Sequence, residues 1–294
     1  MRILSSGDRI RPGVYAVKAR FARSVMLFGR GDRPLFVVDE SIGAGPLNLV
    51  VAQPAIFVAG ESLAIGCGSK APPRPCAMGG KVGSPTAQGG GARPNHSRME
   101  APRFDSSLPC ADRAKLRRVL ETALPRHAPP DSLVSLFFPA GKLPRLQANR
   151  DAVFGKAFAH FAAGRLAAGV RLIRGCGAGL TPAGDDFLCG WMLACRLRRR
   201  TARAREILRQ ARGRNPISNA FLELAAEGRV NVAVKKLLQA PSAIRVKAVC
   251  AFGHSSGADL LCGMLFGLGH PGFRIQNSEW TVPVPPFRLL SPDS

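Results

Sequence analysis

The stretch Arg174-Gly-Cys-Gly-Ala-Gly-Leu-Thr-Pro-Ala-Gly-Asp-Asp-Phe-Leu-Cys-Gly190 decides how this chain of 294 residues is organised. Gly175, Gly177 and Gly179 allow left-handed backbone and a close approach to a ligand. Thr181 stands where a helix N-cap belongs, with Pro182 at the first helical position. Asp185 and Asp186 then fall in the first turn, where the helix dipole favours carboxylates. A helix begun this way presents unpaired backbone N–H groups, which suit a phosphate or a carboxylate. It is not a Walker A loop, because no Lys-Ser/Thr pair follows the last glycine.

A second stretch, Gly253-His-Ser-Ser-Gly-Ala-Asp-Leu-Leu-Cys-Gly263, repeats the device. Gly184, Asp186, Leu188, Cys189 and Gly190 recur as Gly257, Asp259, Leu261, Cys262 and Gly263, five identities in seven positions at an offset of 73. Each segment alone reads equally well as a capped helix whose glycines permit close packing. Together they predict two similar helix starts, related by a local pseudo-twofold axis and meeting in one polar pocket. In that reading Gly177, Gly179, Thr181, Gly184, Asp185, Ser255, Ser256 and Gly257 bind an anion. Asp186, His254 and Asp259 are the candidate catalytic groups, since carboxylates beside an imidazole serve general acid/base chemistry or metal binding. The cofactor stays open: two carboxylates could share a divalent cation, but the ligand count is too low to assert one.

Outward from these segments the pattern changes character. Residues 1–68 read as a small β-rich domain, with strands at Arg33–Val38, Leu47–Val51 and Ala55–Val58. The Asp39–Pro46 connection fits either a hairpin loop or a ligand-contacting loop. Residues 69–107, rich in Gly, Pro, Ser and Ala, lack an apolar period and read as a flexible linker or insertion. Residues 108–294 form a mainly helical domain carrying the site, with helices at Ala111–His127, Ala152–Val170, Asp185–Arg200, Ala202–Arg212, Ser218–Glu227, Val232–Gln239, Ser242–Cys250 and Gly257–Gly267. The fold class is therefore α+β. His160, among Phe154, Phe158 and Phe161, reads as a packed residue rather than a ligand.

Charge and cysteine usage narrow the classes. The net charge of +23 suits acidic partners, and the densest basic stretch is Arg196–Arg214. With one Tyr and two Trp in the chain, base stacking has little to work with, which argues against nucleic acid and for a solvated helical surface. The eight cysteines include no CxxC pair and lie largely in apolar segments, as small buried hydrophobes do. No run of about 18 apolar residues predicts a membrane span, and the N-terminus lacks an apolar signal core, so a cytoplasmic protein is expected.

Gly177-Ala-Gly179-Leu-Thr-Pro-Ala-Gly-Asp-Asp186 followed by Gly253-His-Ser-Ser-Gly-Ala-Asp259 resembles a bacterial domain-of-unknown-function family. That family includes the AllH-type subunit of oxamate carbamoyltransferase, from anaerobic allantoin catabolism. The resemblance spans most of 150–270, including Asn215-Pro-Ile-Ser218 and Ala225-Ala-Glu-Gly228, and Gly45-Pro46-Leu47-Asn48 looks like the family's N-terminal β region. It implies an enzyme subunit working with other protein subunits on small anions, interconverting oxalurate plus phosphate with oxamate plus carbamoyl phosphate. Two departures stand out: the 69–107 stretch, and Ala183, where relatives often carry Ser.

Overall fold

The computed structural model describes residues 2–66, 101–138 and 144–269, with the backbone of 274–276 and 279–281. Short β-branched runs separated by turns give the strands β1 (Ile3–Gly7), β2 (Gly13–Phe21), β3 (Ser24–Gly29), β4 (Arg33–Val38) and β5 (Asn48–Val51). A helical turn, α1 (Pro54–Phe57), leads to β6 (Ser62–Ile65), and β7 (Arg103–Phe104) completes one seven-stranded sheet in the order β6-β2-β3-β4-β5-β1-β7. Side-chain alternation puts Tyr15, Val25, Leu27, Leu35, Val37, Leu49 and Val51 into one core with Val58 and Ile65.

The helices follow: α2 (Arg113–His127), α3 (Arg145–Ala162), α4 (Leu166–Ile173), α5 (Ala183–Leu197), α6 (Thr201–Ala211), α7 (Pro216–Glu227), α8 (Val232–Gln239), α9 (Ala243–Cys250) and α10 (Ser256–Leu268). A 3-10 turn at Leu133–Leu136 precedes α3. The chain is α+β, as its periodicity predicts. Past α10 the backbone pairs β8 (Arg274–Gln276) with β9 (Glu279–Thr281), two strands the helical reading of this region did not include.

The sheet docks on α7 and α8 through specific contacts. Phe36 on β4 stacks on Phe221 of α7 at 5.8 Å, Arg229 pairs with Asp8 at 3.0 Å, and Val232 donates its N–H to the Ala44 carbonyl at 2.9 Å. That last bond fixes the role of the Asp39–Pro46 connection. Strands β4 and β5 pair in parallel, Phe36 beside Asn48, so the loop is a crossover and not a hairpin, and it serves to seat the sheet on α8.

Three local expectations are corrected. Ala55–Val58 is not a strand: Pro54 occupies a first helical position, and Phe57 and Val58 donate to the Gln53 and Pro54 carbonyls. Ala152–Val170 is two helices, because Gly164 at φ +70° takes the left-handed position that ends α3 before α4 restarts at buried Leu166. The tail of the expected linker is edge strand β7, paired with β1, and Ser106 beside it donates to Asp8 at 2.6 Å. The rest of that linker, with the question of its flexibility, lies outside the described residues.

Helices α5 and α10 form the centre. From Ala183 to Cys195 every residue of α5 is buried, as is α10 from Gly257 to Gly267 apart from Leu260, the pattern of helices surrounded by protein. They run parallel and touch backbone to backbone. A Cβ on Gly190 would stand 1.8 Å from the Leu260 carbonyl oxygen, and one on Gly263 would stand 1.9 Å from that of Phe187. Around this crossing Phe154, Phe158, Phe161, Phe187, Trp191 and Phe266 pack ring against ring at 4.9–6.0 Å. Gly190→Ala and Gly263→Ala should each lower the unfolding free energy by about 3 kcal/mol or prevent folding, because neither carbonyl can retreat without parting the helices. Gly213→Ala, facing open space, should stay within about 0.5 kcal/mol in the same denaturant titration.

Candidate functional site

The two glycine turns are built by the same backbone rule. After α4, Cys176 donates to the Ile173 carbonyl at 3.0 Å and accepts from Gly184 at 2.8 Å. After α9, Phe252 donates to the Val249 carbonyl at 3.0 Å and accepts from Gly257 at 3.1 Å. Gly184 and Gly257 are required here because a Cβ would lie 1.7 Å and 1.8 Å from those same Ile173 and Val249 carbonyl oxygens. The unit helix–turn–helix is therefore repeated as α4–α5 and α9–α10, with the longer turn in the first copy.

The turns meet. Thr181 Oγ1 and Ser256 Oγ are 3.1 Å apart, joining the start of α5 to the start of α10. Asn215, which caps α7 with its Oδ1, donates its amide nitrogen to the Leu180 carbonyl at 2.8 Å and steadies the first turn from the side. Gly177 and Gly179 take φ +118° and +95°, keeping the exposed turn open. Among the described residues, the N–H groups from Gly177 to Thr181 and from Gly253 to Ser256 bond to no protein acceptor. Two parallel helix dipoles point their positive ends at this mouth. Unpaired backbone donors beside hydroxyls at two adjoining helix starts are groups of the kind that can receive a small anion.

The carboxylates lie beneath the mouth and are buried. Asp185 Oδ1 accepts the Gly175 N–H at 2.7 Å, pinning the turn to the helix it precedes; burial still raises its pKa. Asp186, 8 % exposed, has its pKa pushed far up by burial, opposed by the hydroxyls of Ser256 and Thr181 and reinforced by the nearby Asp259 charge. Asp259 is 0 % exposed; burial raises its pKa to about 6, against the pull of the Leu133 N–H, which its Oδ1 accepts at 2.7 Å. The Oδ2 atoms of Asp186 and Asp259 are both buried without a hydrogen-bond partner. Low dielectric and mutual repulsion favour their protonated forms. Among the described residues no group of three or more His, Cys, Asp or Glu is placed to hold a metal ion.

His254 is not in this pocket. Its side chain is 84 % exposed and its Nε2 bonds Asp131 Oδ2 at 2.6 Å, which draws it to the rim instead of toward Asp186 and Asp259. Reasoning from sequence also missed the frame that holds Asp259. Arg150 on α3 donates to the Asp131 and Ser132 carbonyls and pairs with Asp151 at 3.0 Å, fixing the segment that delivers the Leu133 N–H. Ser135 donates to Asp151 at 2.7 Å and closes the frame. Nothing in Asn149-Arg150-Asp151 marks it as part of a site, because its partners lie in a separate turn and in α10. The cysteines near the site behave as expected: Cys189 and Cys262 are buried, with thiols pushed far above their usual pKa, and Cys176 is half-buried. His160 is half-exposed and accepts from Arg165 at 2.9 Å, so it is neither ligand nor core.

The Asp259 shift has a definite sign. A carboxyl with a higher pKa in the fold than in the unfolded chain stabilises fully below the unfolded value of 3.8, and that contribution fades as pH rises to about 6. Asp259→Asn should therefore gain on the wild type across that window, by up to about 3 kcal/mol at neutral pH. Thermal melts of both proteins from pH 4 to pH 7 check it: the gap must widen with pH, and a constant or narrowing gap contradicts the buried-acid assignment.

No curated protein and no solved structure matches the chain. Residues 173–268, from the carbonyl that abuts Gly184 to the last residue of α10, match the family model described as oxamate carbamoyltransferase subunit AllH, the family that the two glycine motifs resemble.

Proposed function

We propose that this chain is a subunit of an oxamate carbamoyltransferase-type enzyme and that the joined glycine turns bind its small anionic substrates. The observation that carries the reading is the meeting of Thr181 and Ser256, which sets two rows of free backbone N–H groups around one mouth inside the matched region. In the phosphorolysis of oxalurate a phosphate oxygen attacks the ureido carbonyl, the C–N bond breaks, and oxamate and carbamoyl phosphate form. The proton lost by phosphate is the one gained by the departing nitrogen. Donors from Gly177, Gly179, Thr181, Ser255 and Ser256 stabilise the oxyanion charge that builds up in this step. Asp259, with a pKa of about 6, is suited to carry that proton near neutral pH. Asp186, its pKa pushed well up by burial, orients the two hydroxyls beside it. Other subunits complete the enzyme, in keeping with a family described as a subunit.

A second reading, an anion-binding or assembly subunit with the chemistry on a partner, is favoured by the bracing roles of Asp185 and Asp259, whose oxygens hold the Gly175 and Leu133 N–H groups. Two measurements separate them. The isolated chain should melt higher in the presence of oxalurate or phosphate than in equal chloride, and Thr181→Ala/Ser256→Ala should abolish that shift. In the complex with its partner subunits, Asp259→Asn should reduce oxalurate phosphorolysis about a hundredfold or more, whereas His254→Ala should change it less than about threefold. Full activity of Asp259→Asn with the anion shift intact would establish the assembly reading instead.

A further inference from the structure

At the opposite end of α5 lies a second concavity, a pocket of about 380 Å³ floored by Trp191, Cys195 and Gly267 and walled by Arg198, Arg200 and Arg203. Its floor begins at Trp191, about 12 Å along the α5 axis from the glycine turns at a rise of 1.5 Å per residue, and its arginines lie beyond the helix end. We propose that this pocket binds a small organic phosphate, a dianion with a compact apolar body, at a site separate from the glycine turns and independent of the function assigned to them.

The charge balance requires a dianion. Among the described residues no carboxylate forms an ion pair with Arg198, Arg200 or Arg203. Glu206, the one acid whose charge reaches Arg203, is already bridged by Arg209 at 2.6 Å. The C-terminal ends of α5 and α10 offer about −0.5 each, and Arg198 donates to the Gly267 carbonyl at 2.9 Å. Against three guanidiniums that leaves about +2, and the N-terminus of α6 adds to it. Burial and the Arg200 charge both weaken proton binding at Arg198 and Arg203, the strain that a bound anion relieves.

The backbone is shaped for the same end. Arg199 sits at φ +58°, a conformation that glycine adopts freely and arginine does not, while Arg200 donates back to the Cys195 carbonyl at 2.8 Å. This tight reversal puts Arg198, the C-cap of α5, and Arg200, the N-cap of α6, on the same pocket. Ala202, in the first turn of α6, stands on the wall. Arg203 lies over the Trp191 ring at 6.0 Å, so its guanidinium is held by an apolar surface and keeps its donors for an oxyanion. The apolar floor accepts the organic body.

Calorimetric titration of the full chain carrying Thr181→Ala/Ser256→Ala, which silences the glycine turns, with phenyl phosphate and inorganic phosphate at constant ionic strength, tests this. Saturable binding of both is expected, tighter for phenyl phosphate. Arg200→Gln/Arg203→Gln should weaken it by about tenfold or more, the loss of two charge-assisted contacts. Arg205→Gln/Arg214→Gln, which removes the same charge from exposed positions, should change it by less than about twofold. Arg200→Gln alone alters an exposed side chain and gives a folded variant whose binding must also fall. Equal weakening in both double variants would reduce the effect to diffuse attraction by a basic protein and overturn the site. So would absent phosphate binding, or capture of an acidic peptide in its place.

Discussion

The backbone contact of α5 with α10 at Gly190 and Gly263 is the constraint on which the rest depends. Two parallel helices brought this close add their dipoles side by side, an arrangement that repels at both ends. Ring packing of six aromatic side chains around the crossing holds it together, since each contributes a large buried apolar area. The outcome is a polarised pair. Its positive end carries the two glycine turns and their free N–H groups. Its negative end is met by arginines, with Arg198 donating to the Gly267 carbonyl and Arg117 to that of Gly269.

That geometry also explains how buried carboxylates are tolerated. An ionised Asp with an unpartnered oxygen in a core is costly, and the cheapest response is to keep the proton. Asp259 does so up to about pH 6, and burial pushes the Asp186 carboxyl well above its usual range. Each is nonetheless placed at a helix N-terminus, where an anion is favoured, so the two tendencies oppose each other at one point. A simple cap, exposed and fully ionised, shows no such opposition. Asp185 is the contrasting case: held by the Gly175 N–H at 2.7 Å, it acts as a strut.

What could be read in the sequence was what depends on neighbours in sequence. The glycines and the acidic first turn are local devices, and the internal repeat of five residues in seven points to the pseudo-twofold pair; Thr181, by contrast, does not cap α5, because Pro182 itself takes the N-cap position and no side chain caps the helix. Helix α6 and helix α8 follow from their periods alone. The failures are those of distance. His254 was read with the nearest carboxylates in the motif, but its partner, Asp131, is 123 residues away in a turn with no marking. The Arg150 frame was invisible for the same reason. The Asp39–Pro46 loop has the composition of a hairpin, and only the parallel pairing of β4 with β5 and the docking of Ala44 on α8 show it to be a crossover. Gly164 ended a helix that an alanine-rich pattern carried through it.

The basic stretch from Arg196 to Arg214 shows why net charge alone is a weak guide to partners. A nucleic-acid footprint would present these guanidiniums along one face with their donors free. Here four of the nine, Arg196, Arg198, Arg209 and Arg212, are engaged within the fold. Arg212 pairs with Glu223 and Arg209 with Glu206, Arg196 donates to Thr201, and neighbouring Arg174 donates to the Gln210 and Arg212 carbonyls. These bonds cap helix ends and tie α6 to α4 and α7, so much of the positive charge answers the carbonyl ends of short helices. Arg200 and Arg203 differ from Arg199, Arg205 and Arg214, which also lack side-chain partners among the described residues, in that they line a pocket. They face no carboxylate partner and no carbonyl among the described residues, and they share a concave wall. Unpaired charge concentrated at one pocket calls for an anion of matching charge.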